Sequence, residues 1–278
     1  MTVPLLPVPA DAAARLDGTP LVILLDVDGT LAPIAPRPDA ARVPPETRRI
    51  VAGLAALPGV SVVLVSGRAA ADAQRMVGVP AAWTIGNHGF ELLRPDGERI
   101  TDPALAHVRP AIADAARELA AGLGELDGVL LEDKHWTLTV HFRQADPRVV
   151  PRVGALVHRA ADARGLLVME GKMVLEIRPP VEVHKGTAVL HLARQLGVWA
   201  DAERGGGGGG GGGQGAVLYV GDDRTDEDAF RLLRERWPRA ITARVSSGDA
   251  APTAAEFALS DPDAVRAFLE WLLARRRG

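Results

Sequence analysis

Leu21-Val22-Ile23-Leu24-Leu25-Asp26-Val27-Asp28-Gly29-Thr30-Leu31 is the stretch on which the fold turns. Its first five residues are apolar with no polar alternation. They predict a strand buried on both faces, as in a parallel sheet covered by helices on each side. The strand delivers two carboxylates, two residues apart, at its C-terminal end, where open α/β sheets bind their ligands. Gly29 permits a tight turn just past the second aspartate. Two carboxylates and the Thr30 hydroxyl suit a nucleophile, a general acid/base and an anchor for Mg²⁺. Taken alone, the same residues also read as an Asp-Gly turn carrying a solvated aspartate pair.

Outward from this strand the pattern repeats. Pro33-Ile34-Ala35-Pro36-Arg37-Pro38 predicts a loop. Ile50, Val51, Leu54 and Leu57 recur at helical spacing after Pro45. Val60-Ser61-Val62-Val63-Leu64-Val65 predicts a second buried strand, ending in Ser66-Gly67-Arg68, with a helix to about Met76. Trp83-Thr84-Ile85-Gly86 predicts a third strand running into Asn87-His88-Gly89. This βαβαβ order indicates a Rossmann-like, doubly wound parallel sheet.

The periodicity then changes. A long Ala-rich helix is expected over 103–123, and a hairpin over 129–134 and 136–143. A helix over 147–164 follows, then strands over 166–169 and 173–177. An α-β-β-α-β-β block of this kind predicts a separate α+β unit with an antiparallel sheet. We expect it to be a cap domain, 103–179, inserted into a core formed by 1–102 and 180–278. The core pattern resumes with a helix from Gly186 to Leu196. Nine consecutive glycines, Gly205–Gly213, then predict a flexible linker over 203–215. Ala216-Val217-Leu218-Tyr219-Val220 is a further buried strand, ending in Gly221-Asp222-Asp223-Arg224-Thr225-Asp226-Glu227-Asp228. A helix to about Trp237, a strand near 240–245 and a helix over 262–275 complete the chain.

Composition narrows the class. A net charge of −3 gives no basic surplus, so nucleic acid is not expected as a partner. The absence of cysteine excludes disulfides, thiolate metal sites and cysteine nucleophiles. The N-terminus carries no basic region and is broken by prolines, unlike a signal peptide. No apolar run approaches the roughly 18 residues of a membrane span. These features predict a soluble, cytoplasmic protein with no membrane partner.

Three strands thus end in polar clusters: Asp26/Asp28, Ser66-Gly67-Arg68 and Asp222/Asp223/Asp226. A parallel sheet would bring all three to one edge. Carboxylates crowded together repel, and a divalent cation relieves that repulsion; all-oxygen ligation favours Mg²⁺. A metal, an aspartate nucleophile and hydroxyl and cationic donors suit phosphoryl transfer. Lys185-Gly186, at a helix start, is a candidate fourth element. His88 stands alone, and the other histidines lie at no metal-ligand spacing.

In order, Asp26-Val27-Asp28-Gly29-Thr30, Ser66, Lys185 and Gly221-Asp222-Asp223 resemble the four motifs of the haloacid-dehalogenase-like phosphatases. Finer matches are similar to the trehalose-6-phosphate phosphatase branch. They are Ser66-Gly67-Arg68, Gly86-Asn87-His88-Gly89, Leu131-Glu132-Asp133-Lys134, His141-Phe142-Arg143, Gly171-Lys172-Met173-Val174-Leu175-Glu176-Ile177-Arg178-Pro179, Lys185-Gly186 and the run from Gly221 to Phe230. The resemblance implies that Asp26 attacks phosphorus and that Asp28 is the acid/base. It implies that Ser66 and Lys185 hold phosphoryl oxygens. Mg²⁺ would be bound by Asp26, the Asp28 carbonyl and Asp222, with Asp226 behind them. Gly67, Arg68, Asn87 and His88 would contact substrate, and Glu132, Lys134, Arg143, Lys172 and Glu176 would read the sugar. Without the resemblance, these last five would read as cross-strand ion pairs on an exposed sheet face. Val27 and Phe142 depart from the family's usual aromatic and Tyr, but remove no reacting group. Other expectations remain open: a phosphatase for sucrose phosphate or a glycosyl phosphoglycerate, or a non-catalytic sugar-phosphate sensor. Functional coupling to a trehalose-phosphate synthase is a further expectation.

Overall fold

The computed structural model describes residues 10–37, 40–101, 105, 107–171, 173–181, 183–198, 215–246 and 252–278. Lys172 and the glycine tract Gly205–Gly213 lie outside the described residues. The chain divides into two compact units, one formed by 1–100 with 183–278 and the other by 101–182.

The first part of the chain runs α1 (Ala10–Arg15), β1 (Leu21–Asp26), α2 (Pro45–Ala55), β2 (Val60–Val65), α3 (Ala70–Val77), β3 (Trp83–Gly86), β4 (Glu91–Leu93) and β5 (Arg99–Thr101). The middle part runs α4 (Arg109–Leu123), β6 (Leu130–Asp133), β7 (Leu138–His141), α5 (Val150–Asp162), β8 (Leu167–Gly171) and β9 (Val174–Arg178). The last part runs α6 (Lys185–Gln195), β10 (Ala216–Gly221), α7 (Arg224–Arg236), β11 (Ile241–Val245), β12 (Phe257–Leu259) and α8 (Pro262–Arg277).

The first unit is built on a sheet of order β12-β11-β10-β1-β2-β3-β4-β5. Pairings from β12 to β3 are parallel, and β4 joins β3 antiparallel. From β1 the chain steps outward one way through β2 and β3, and later the other way through β10, β11 and β12. The reversal of strand order opens a crevice at the C-terminal end of β1. Leu21, Ile23 and Leu25 pack on one face with Val51 and Leu54 of α2 and Phe268, Leu269 and Leu272 of α8. Val22 and Leu24 pack on the other with Val189 and Leu192 of α6 and Phe230 and Leu233 of α7. All six residues of β1 are buried, which is why the sequence shows no alternation there. Each such aliphatic side chain contributes roughly 1.5–3 kcal/mol by leaving water, so the strand that carries Asp26 is firmly fixed.

The second unit packs α4 and α5 against an antiparallel sheet of order β6-β7-β9-β8. Ile112 and Leu119 of α4 and Val153 and Val157 of α5 meet Leu138, Val140 and Ile177 of the strands. Glu132 pairs across from Thr139, and Thr139 from Glu176. The two-residue period puts these three on the face opposite the apolar one.

The elements differ from expectation in places. Helix α4 begins at Arg109 rather than at Pro103, which lies outside the described residues; Pro110 fits the first turn, where its missing N–H costs nothing. Strand β7 is shorter than 136–143 because the chain turns at 134–137, where Lys134 N donates to the Thr137 carbonyl and His135 takes φ 74°. Helix α1 and strands β4, β5 and β12 leave no pattern in the sequence. At six residues and three residues each, they are too short to show a period. Among the described residues, no helix is long and apolar enough to cross a membrane.

Candidate active site

Strand register assembles the site. Asp26 lies opposite Val65, so Ser66 follows immediately beside it. Leu25 lies opposite Val220, so Gly221 and Asp222 emerge on the other flank. Val65 pairs with Ile85, which brings Gly86 and Asn87 next to Ser66. Gly29, at φ 87°, is required both by its turn and by space: a Cβ there would lie 2.0 Å from Asp222 Oδ2. Past β3, Asn87 and His88 take φ values of 49° and 56°, a left-handed conformation uncommon outside glycine. Their N–H groups donate to the Arg68 and Ser66 carbonyls at 2.7 and 3.1 Å. Gly67 lies beneath the His88 ring, where a Cβ would come 2.5 Å from Nε2.

Helix α6 opens with a capping box. His184 accepts from Gly186 N, and Thr187 accepts from His184 N. The first helical residue is therefore Lys185, whose side chain is 2% exposed. Its Nζ donates to Asp26 Oδ1 at 2.7 Å and Asp226 Oδ1 at 2.9 Å, and lies 3.7 Å from Asp223 Oδ1. Helix α7 opens with Asp223 as its cap, accepting from Thr225 N and Asp226 N. That places Asp226 one turn in, fully buried. Its Oδ1 also accepts from Tyr219 OH at 2.7 Å, and its Oδ2 from the N–H groups of Asp222 and Asp223 at 3.0 and 3.1 Å. Arg68 donates twice to Asp28, Nε to Oδ2 and Nη2 to Oδ1, both at 2.6 Å.

The charges are strongly coupled. Burial pushes Asp26 well above the usual carboxylate range; Lys185 opposes this, while Asp226, Asp222 and Asp223 add to it. Burial together with Asp223 and Asp226 raises Asp222 to about 7. Asp226 rises to about 6, again chiefly by burial, with Lys185 opposing. Packing around Asp223 opposes its ionisation, but Lys185, a hydrogen bond from Thr225 and nearby His88 outweigh that and hold it low. Burial works against the Lys185 ammonium, yet Asp223, Asp226 and Asp26 hold its pKa well above the ordinary value.

Carboxylate oxygens of Asp26, Asp222 and Asp226 lie within 4.8 Å of one another. Asp222 Oδ1 is buried with no hydrogen-bond partner among the described residues. Hard oxygens, raised pKa values and an unsatisfied buried acceptor fit a divalent cation, which would relieve the repulsion and the desolvation together.

Of the residues singled out from sequence, the first unit brings together Asp26, Asp28, Ser66, Gly67, Arg68, Asn87, His88, Lys185, Asp222 and Asp226. The second unit gathers Glu132, Lys134 and Glu176 on one sheet face. His141 Nε2 lies 2.9 Å from Glu132 Oε2, and Lys134 Nζ lies 3.9 Å from it. Burial raises the Glu176 pKa; Lys134 and Arg178 oppose this and Glu132 adds to it. Arg143, past the end of β7, is exposed. Tyr219, and Asp223 as a helix cap, are parts of the site that the sequence pattern does not single out. Tyr219 sits in an apolar strand run, and the only signal was a hydroxyl where an aliphatic residue would serve; Asp223 carried the helix-cap signal of an aspartate before a helix.

A doubly wound sheet whose central strand presents Asp26 and Asp28, flanked by serine, lysine and a carboxylate cluster, defines a haloacid-dehalogenase-like core. The family model described as trehalose-phosphatase matches residues 24–263. A trehalose-phosphate phosphatase of Mycobacterium tuberculosis is 36% identical over 255 residues, 92% of this chain and 62% of that protein. The trehalose-6-phosphate phosphatase C-terminal domain of C. albicans superposes with a TM-score of 0.75 at 24% identity, covering 98% of each chain. An Aspergillus fumigatus trehalose-6-phosphate phosphatase gives a TM-score of 0.66 at 25% identity, covering 99% of this chain and 100% of the other. The chain belongs to the trehalose-phosphatase family. It spans about three fifths of the length of that mycobacterial relative.

Proposed function

We propose that this protein is a Mg²⁺-dependent phosphatase that hydrolyses trehalose 6-phosphate to trehalose and phosphate. The observation that carries the reading is buried Asp26 at the end of β1, paired at 2.7 Å with Lys185 and followed two residues on by Asp28. An Asp26 oxygen attacks phosphorus, the bond from phosphorus to the sugar oxygen breaks, and a proton from Asp28 goes to that oxygen. The resulting aspartyl-phosphate is hydrolysed when Asp28 takes a proton from water, whose oxygen attacks phosphorus and releases phosphate and Asp26. Two carboxylates divide the work because one cannot be both the ionised nucleophile and the proton donor. Lys185 and Ser66 hold the phosphoryl oxygens. Asp26, Asp222 and the Asp28 carbonyl would hold Mg²⁺, with Asp226 fixing Lys185 and the start of α7; the ion supplies positive charge against the phosphoryl oxygens.

In this reading unit 101–182 serves as the cap, with Glu132, Lys134 and Glu176 giving charged hydrogen bonds to sugar hydroxyls. Arg143 and Lys172 belong to the same proposal, as do Gly67, Asn87 and His88 on the phosphate side. A trehalose-phosphate synthase would supply the substrate, in the cytoplasm. The test is phosphate release from a panel of sugar phosphates with and without Mg²⁺, alongside trapping of Asp26 by fluoroberyllate. Preference for another sugar phosphate would overturn the substrate, and no release from any would overturn the enzyme.

A further inference from the structure

We propose that Arg68 is a positioning residue that acts on the reaction through Asp28, rather than by gripping the phosphoryl group or the sugar. The inference rests on the reading of Asp28 as the acid/base. The two side chains, forty residues apart in sequence, form a fork with two bonds of 2.6 Å. Both ends stand on fixed main chain. Arg68 N donates to Ser66 Oγ at 3.1 Å, and its carbonyl accepts from Asn87 N at 2.7 Å. On the other side, Asp28 bridges to Ala32, and Gly29 N donates to the Ala32 carbonyl at 2.7 Å. Lys185 is committed to Asp26, Asp223 and Asp226 instead.

The physical need for such a partner is clear. The last torsion of an aspartate is broad and two-fold, so a carboxylate beyond a strand end has no plane of its own. A guanidinium bonding both oxygens sets that plane, and lysine, a point donor, cannot. The Asp28 side chain is 39% exposed and that of Arg68 19%. The carboxylate is therefore backed by the guanidinium and still open to a ligand. Proton transfer requires an oxygen within about 2.6–3.2 Å of the proton's other site. A misplacement of about 1 Å costs on the order of a hundredfold in rate.

The experiment uses wild type, Arg68→Gln, Arg68→Lys, Asp28→Asn and the Arg68→Gln/Asp28→Asn double variant. Each is assayed on 4-nitrophenyl phosphate by steady-state and rapid-quench methods, with inorganic phosphate as competing inhibitor. Arg68→Gln should lower kcat roughly 10- to 100-fold. Its KM and the inhibition constant for phosphate should stay within about threefold, because charge at the phosphate is supplied elsewhere. In the Asp28→Asn background the same change should cost less than about threefold, the signature of two residues acting as one unit. Arg68→Lys should recover only part of the loss, and it serves as the readout if Arg68→Gln does not fold. Weakening of phosphate inhibition by tenfold or more would mean that Arg68 grips the phosphoryl group and would overturn the inference. Fully additive losses in the double variant would overturn it too. Failure of wild type to release phosphate from 4-nitrophenyl phosphate in the presence of Mg²⁺ would sink the phosphatase reading itself, and the inference with it.

Discussion

Lys185→Met tests how the site is held together. The substitution keeps an unbranched side chain of similar length but removes the cation between Asp26 and Asp226. Asp26 then loses its cation and Asp226 keeps only neutral donors among the described residues, Tyr219 OH and two backbone N–H groups; removing one partner of a buried ion pair costs about 3–5 kcal/mol. In a chain of this size, about 1 kcal/mol moves Tm by roughly 2–4 °C, so a fall of roughly 6–20 °C is expected. The loss should depend on pH. With Asp222 raised to about 7 and Asp226 to about 6, the folded chain keeps protons between pH 4 and 7 that the unfolded chain has lost. Stability from these groups therefore falls as pH rises through that window. Removing Lys185 raises both carboxylates further and steepens the fall. The assay is thermal unfolding of wild type and variant in chelator at pH 5.5 and pH 8.0. The variant's deficit should be larger at pH 8.0, and excess Mg²⁺ should recover part of it there by replacing the missing positive charge. An equal deficit at both pH values, or one below about 2 °C, would refute this account of the cluster.

Other consequences can be measured directly. Asp26→Asn keeps the side chain's shape but removes its attacking charge, so turnover of every phosphate ester should drop to background with Tm unchanged or higher; substantial residual turnover excludes a covalent route. Asp222→Ala removes the carboxylate whose Oδ1 has no partner among the described residues, and should raise the Mg²⁺ concentration for half-maximal rate at least about tenfold. Unaltered Mg²⁺ dependence would place the ion elsewhere. Glu176→Ala removes one charged hydrogen bond worth roughly 1.5–3 kcal/mol, or about 10- to 100-fold in kcat/KM for trehalose 6-phosphate. Hydrolysis of an aryl phosphate should change little, and equal loss on both substrates would mean that Glu176 supports the fold.

What the sequence made legible, and what it hid, follows one physical rule: local pattern is readable, and tertiary pairing is not. Strand β1 is legible because burial on both faces removes alternation. Its partners' strand-end residues are legible as polar breaks after apolar runs. The register that sets Ser66 and Gly221 on either side of Asp26 cannot be read from either run alone. Arg68 illustrates the limit: the motif Ser66-Gly67-Arg68 names the residue, but its fork with Asp28, forty residues away, is set only by tertiary pairing. Tyr219 is a second case, since its hydroxyl has meaning only because α7 returns Asp226 beside it. By charge alone Asp226 reads as one more acidic ligand, and only the family resemblance sets it behind the metal. In the fold its two oxygens accept from Lys185, Tyr219 and two backbone N–H groups, so its charge is already spent on holding other parts of the site. A cation entering the cluster would therefore gain most from Asp26, whose second oxygen is not engaged by Lys185, and from Asp222. Any division between carboxylates that would bind a cation and a carboxylate that braces rests on hydrogen-bond accounting, which begins only once the strands are paired.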